Sequence, residues 1–125
     1  MHVTYELDAS SGLIETRCRG CVRLDDVMDH FRRLESDPRL PERLDVLLDL
    51  AAVTSIPDSN QLRHVAGAIA RLETMVDWGA FAIVAPQDVL FGMSRMLEVF
   101  SEGSFARIRV FRHGDEARRW LETSH

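Results

Sequence analysis

Two short runs with almost no polar interruption, Val46-Leu47-Leu48-Asp49-Leu50 and Ala80 to Val84, constrain this chain more than anything else in it. A strand that is apolar nearly throughout must be covered on both faces, the condition of a central strand in a parallel sheet. Between the runs, Leu62, Val65, Ala66, Ile69 and Leu72 recur at helical spacing. Parallel strands need such a crossover, so an α/β domain is the expectation.

The remaining elements follow from periodicity and punctuation. Val3, Tyr5 and Leu7 alternate with polar neighbours, Asp8 to Gly12 carries turn chemistry, and Leu13 to Arg19 alternates again, which predicts a hairpin. After Gly20 the period changes to helical at Val27, Met28, Phe31 and Leu34, with Asp25 as the expected cap and Asp37-Pro38 as the stop. Pro57-Asp58-Ser59 opens the second helix, with proline in its first turn and Asp58 or Ser59 as cap, and Gly79 follows its end. Val89, Leu90, Met93, Met96, Leu97 and Phe100 form a third stripe, with Gly103 beyond it. Ala106, Ile108 and Val110 predict a strand near a sheet edge, and Ala117, Trp120 and Leu121 a short closing helix. The order is ββαβαβαβα over residues 1–125: one domain, with a mixed, mostly parallel five-stranded sheet, four helices and right-handed crossovers.

Composition narrows the function classes. The chain has 125 residues, 46% of them apolar, enough for one continuous core. Twenty acidic against fifteen basic residues give a net charge of −5, which repels phosphate backbones and anionic membranes, so no nucleic-acid partner is expected. Every one of the fifteen basic residues is arginine, which removes lysine Schiff-base chemistry. Neither a basic segment followed by an apolar one at Met1-His2-Val3-Thr4-Tyr5-Glu6 nor any run of eighteen apolar residues is present; a cytoplasmic protein without membrane insertion is expected. Two cysteines are too few to staple a secreted domain and are read as reduced thiols.

Catalytic constellations are sparse. Cys18-Arg19-Gly20-Cys21 has the spacing of a redox dithiol, but it precedes the first helix by several residues, where helix activation of a thiol is not evident. A zinc site would need two further ligands, with His30 and His113 as the only distant candidates, so neither metal nor cofactor is expected. Gly92-Met93-Ser94-Arg95-Met96 lacks the second glycine of a nucleophile elbow and falls inside a helix. His2, His64 and His125 read as solvated imidazoles. A binding module rather than an enzyme is the expectation, with a thiol-dependent protein using Cys18 and Cys21 as the alternative class.

A candidate surface comes from the third helix. Phe91 and Arg95 lie off its apolar stripe, four residues apart on one side, and Gly92 costs about 1 kcal/mol against alanine, which suggests a close approach by a ligand or another backbone. Ligands of open α/β sheets sit beyond the carboxyl ends of the strands, where the loops after Leu50 and Val84 end. Asp49, Ser55, Asp58, Ser59, Phe91, Gly92 and Arg95 are therefore the candidate rim of a ligand or partner surface.

The segment from Val46 to Leu62, with its apolar strand ending in Asp49-Leu50, Val53-Thr54 in the loop and Asp58-Ser59-Asn60-Gln61-Leu62 opening a helix, resembles the central signature of STAS domains, the anti-sigma factor antagonist fold. Phe91-Gly92-Met93-Ser94-Arg95-Met96 and Asp115-Glu116-Ala117-Arg118-Arg119-Trp120-Leu121 look more like the SpoIIAA-like bacterial proteins. Pro57 and Asn60 stand where the family motif tends to carry aspartate and glycine. The resemblance implies a non-enzymatic regulatory or binding module that takes a protein partner or a small ligand, an apolar one included; dimerisation fits the same reading. Carried onto this chain, the family's phospho-acceptor falls on Ser59, where a phosphate would meet the unpaired N–H groups of a helix start.

Overall fold

A computed structural model of the chain describes residues 2–123. Strands β1 (Val3–Asp8), β2 (Leu13–Gly20), β3 (Arg43–Val53), β4 (Asp77–Val84) and β5 (Arg107–Phe111) form one sheet in the order β1-β2-β3-β4-β5. Only β1 and β2 are antiparallel; β2 to β5 run parallel. The hairpin turns at Gly12, whose φ of 69° lies in the left-handed region open to glycine. Helices α1 (Leu24–Glu35), α2 (Ser59–Arg71) and α3 (Asp88–Phe100) are the three crossovers, and α4 (Gly114–Glu122) follows β5.

This order decides where the core lies. Each crossover steps to the next strand in the same direction, so right-handed connections place α1, α2 and α3 on one face of the sheet. Val3, Ile14, Val46, Phe81, Ile83 and Val110 pack with those helices in the larger core. The opposite face carries a smaller cluster of Leu47, Ala80, Ala82, Val84 and Phe111 beneath Ala117 and Leu121 of α4. Phe111, at the end of the edge strand β5, is therefore buried rather than turned to solvent, while Arg107 and Arg109 lie across the rings of Trp120 and Phe111.

Several local expectations shift. Residue Arg23, not Asp25, is the N-cap of α1, and Asp26 reaches back to accept from its backbone N–H at 2.9 Å. At α2 the cap is Asp58, which accepts from the Gln61 backbone N–H at 2.7 Å, leaving Pro57 before the cap and Ser59 as first helical residue. A 3-10 turn, Leu72–Thr74, extends α2 and had no separate signal in the periodicity. Gly79 is not a helix terminator; it lies inside β4, where a Cβ would overlap Oδ1 of Asp45. Asp45 is buried beside the β3–β4 register shift and accepts from the Ala80 backbone N–H at 2.8 Å. On α3 the expected stripe holds at Leu90, Met93, Met96, Leu97 and Phe100, whereas Val89 is exposed and Phe91 and Ser94 join the packed face.

Candidate functional site

Between the sheet and its three crossover helices lies a cavity of about 140 Å³. Its floor is the sheet face of Ile14, Thr16, Cys18, Val46, Leu48 and Phe81, and its roof is Val27, His30, Phe31 and Leu34 of α1 with Leu62, Val65 and Ile69 of α2. Trp78 closes the end toward the amino termini of the strands, held by its Nε1–H donating to the Ile69 carbonyl at 2.9 Å and by the ring of Phe105, which in turn stacks on Phe81. At the carboxyl ends of β2 and β3, the wall residues Val22, Leu50, Pro57 and Gln61 are only half-buried, which makes this the mouth. Ser55 ties the two loops there together: its Oγ accepts from the Val22 N–H at 2.9 Å and donates to the Val22 carbonyl at 3.3 Å.

Sheet and helices both follow from sequence pattern, and so does the apolar lining. The residues of β3 that face the three crossover helices are Val46, Leu48 and Leu50; Leu47 and Asp49 lie on the α4 side. Few polar groups reach the wall. Thr16 and His30 are buried, and Nδ1 of His30 has no hydrogen-bond partner among the described residues. Burial, aided by the Arg33 charge, pushes the His30 imidazole down to about 4 from its usual 6.5, so it is neutral at physiological pH.

The residues singled out from the sequence do not converge on one surface. Ser55, Asp58 and Ser59 flank the mouth, with Asp58 and Ser59 exposed. Asp49 sits on the other face of the sheet, 3.5 Å from Arg17 and bonded to the Ala51 N–H, in a polar depression beside the Glu15–Arg118 pair. Phe91 is half-buried under Arg112, whose guanidinium lies 4.3 Å from the ring centre and also pairs with Asp88. Gly92 faces open space, with nothing within 4 Å of where a Cβ would stand, so no other backbone approaches it there. Arg95 is exposed and pairs with Glu98 at 3.1 Å.

Cys18 and Cys21 are separated by environment. Cys18 points into the cavity, where burial, with a contribution from the Asp49 charge, pushes its thiol up to about 12; Cys21 is exposed beyond the strand. A thiol held protonated at neutral pH is not an attacking nucleophile. Among the described residues no group of three His, Cys, Asp or Glu is placed to hold a metal ion, and no helix is long and apolar enough to cross a membrane.

The sequence pointed to His30 only as a distant candidate zinc ligand, and its place in the cavity wall was missed. Its signal was available: Val27, His30, Phe31 and Leu34 stand at i, i+3, i+4 and i+7, which puts the imidazole on the buried stripe of α1.

No protein-family model matches this chain, and no curated protein matches it. Among solved structures it is similar to an uncharacterized protein of the DUF3478 family with a SpoIIAA-like fold from Shewanella loihica PV-4, at 18% identity over 95% of this chain and 91% of that one, with a TM-score of 0.59. Strand order, crossover pattern and that likeness agree: the chain has a SpoIIAA-like, that is STAS-like, α/β fold.

Proposed function

We propose that this chain is a non-enzymatic binding module whose ligand is a small, predominantly apolar molecule held between the sheet and helices α1 and α2. The observation that carries the reading is the cavity of about 140 Å³ in a core that otherwise packs continuously. Interiors are close-packed as a rule, and at about 24 cal/mol per Å³ a void of this size costs about 3 kcal/mol. An engineered apolar cavity of comparable size, about 150 Å³, stays dry and takes up benzene. A ligand that filled this one would recover the missing contacts, and the half-buried mouth between Val22, Pro57 and Gln61 gives it a way in.

Benzene is the first probe to use. Its addition to the full chain is expected to raise the melting temperature in a concentration-dependent way and to shift methyl resonances of Val46, Leu62 and Ile69. Val46→Phe, which places a ring in the space, abolishes both responses while the protein remains folded. Absence of any benzene response in the unsubstituted protein refutes the reading.

Exposure of Ser59 in the first turn of the 13-residue α2 favours a second reading, a phosphoserine switch beside the mouth. A phosphate adduct on Ser59 in protein isolated from its own host supports it, and unmodified Ser59 under varied growth conditions opposes it.

A further inference from the structure

Two loops meet at the mouth of the cavity: residues 21–23, between β2 and α1, and residues 54–58, between β3 and α2. Each is fixed where its helix begins, Asp26 accepting from the Arg23 N–H at 2.9 Å and Asp58 from the Gln61 N–H at 2.7 Å. Between those fixed ends Val22 and Pro57 turn inward to the cavity wall, while Cys21, Thr54 and Ile56 are exposed, Ile56 to 62%. The outer sides of the loops are thus bare, and it is hydrogen bonding that joins one to the other.

Three such bonds among the described residues close this end. The Thr54 N–H donates to the Gly20 carbonyl at 2.9 Å, the last rung between β2 and β3. The Val22 N–H donates to Ser55 Oγ at 2.9 Å, and the same hydroxyl donates to the Val22 carbonyl at 3.3 Å. Two of the three therefore run through one side-chain oxygen, at a half-buried place where water can take over both Val22 groups. The other walls are of a different kind: a strand ladder for the floor, two helices for the roof, and Trp78 bonded to the Ile69 carbonyl at the far end. A solute cannot enter a close-packed interior unless a wall parts, and local opening follows the least costly break.

We infer that Ser55 is the latch of a gate: the loops carrying Val22 and Pro57 part to admit and release the cavity's occupant, and the Ser55 hydroxyl sets how often they do so. This rests on the apolar-ligand reading and adds to it the route and its control. The latch closes again behind the occupant, so its loss changes the rates of entry and exit together and leaves affinity almost unaltered.

The test uses the full chain with benzene as the probe, its entry and exit rates read by NMR exchange spectroscopy and line shape. In Ser55→Ala both rates are expected to rise about tenfold, the equivalent of one hydrogen bond, with the dissociation constant within about twofold of native. The Thr54 amide proton, part of the same closure, exchanges with solvent faster in that variant, whereas the Leu47 amide in the middle of β3 keeps its native rate. Ser55→Thr, which restores a hydroxyl, recovers the native rates. If the alanine variant does not fold, Ser55→Cys, a weaker hydrogen-bonding group of similar shape, carries the same comparison. Unchanged benzene rates without the hydroxyl, or amide exchange that accelerates equally at Leu47 and Thr54, overturn the gate and leave the apolar-ligand reading standing. Failure of benzene to bind the unsubstituted protein overturns the two together.

Discussion

Acid should destabilise this protein through one side chain before its carboxylates respond. His30 is held at about 4 against an ordinary value of 6.5, first by burial and second by Arg33. Because its folded value is depressed, the unfolded chain binds the extra proton; the stability is present above about 6.5 and is lost as the pH falls toward 4. At 1.36 kcal/mol for each pH unit between the two values, about 3 kcal/mol is at stake. Asp8, Glu15 and Asp37 also have values shifted downward, by Ser10 and Ser11, by Arg118, and by Arg39 and Tyr5 respectively. Their contributions are lost as the pH falls from the ordinary carboxylate range downward, so most of the His30 window lies above theirs. Urea unfolding of the native protein and of His30→Leu at pH 7, 5.5 and 4.5 isolates the effect. The native protein should lose about 2.5 kcal/mol more than the variant between pH 7 and pH 4.5. At pH 7 the variant should be close to native stability or above it, since leucine removes an unpaired buried nitrogen at similar volume. Parallel pH profiles for the two proteins would refute the placement of a neutral, unpaired imidazole in the core.

Three further outcomes follow from local geometry. Gly79→Ala should cost about 2 kcal/mol by displacing Asp45 from the Ala80 N–H, and the double substitution with Asp45→Ala should be less damaging than the sum of the two, as a double-mutant cycle in urea will show. Asp58→Ala should cost about 1 kcal/mol by uncapping α2, whereas Ser59→Ala should change stability by less than about 0.5 kcal/mol; equal losses in thermal melts would move the cap to Ser59. Iodoacetamide at pH 7 should alkylate Cys21 readily and Cys18 only in denaturant, read by peptide mass; equal rates would contradict the burial of Cys18.

The elements of this fold were legible because each one solves its own burial problem. A doubly covered β3 and β4 showed as apolar runs, and the hairpin strands as alternation. Where two distant segments set a residue's role, local pattern misled. Gly79 follows a helical stripe, which is the usual signature of a helix end, yet its purpose is to admit the carboxylate of Asp45 from a strand 34 positions earlier. Asp49 stood in an apolar run whose parity does not say which face looks toward which helices, and it proved to lie opposite the cavity. On α3, Val89 at the helix start is exposed and Phe91 is packed, the reverse of what the stripe implied, because the first turn stands at the edge of the covered face. The cavity itself left no trace in composition, since a void is a property of how side chains meet.

The uneven covering of the sheet also partitions the molecule energetically. The α4 side rests on its own small cluster of Leu47, Ala80, Ala82, Val84 and Phe111, and shares none of the cavity walls. Detachment of α4 therefore exposes only this small cluster, with Leu47 and Phe111 as its large members, and leaves the three-helix side closed, making the two sides separable units of local opening. Amide protons of α4 are positioned to exchange through this cheaper event, while those of β3 and β4 await global unfolding, so an occupant of the cavity would slow exchange in the sheet and leave the α4 amides almost unaltered.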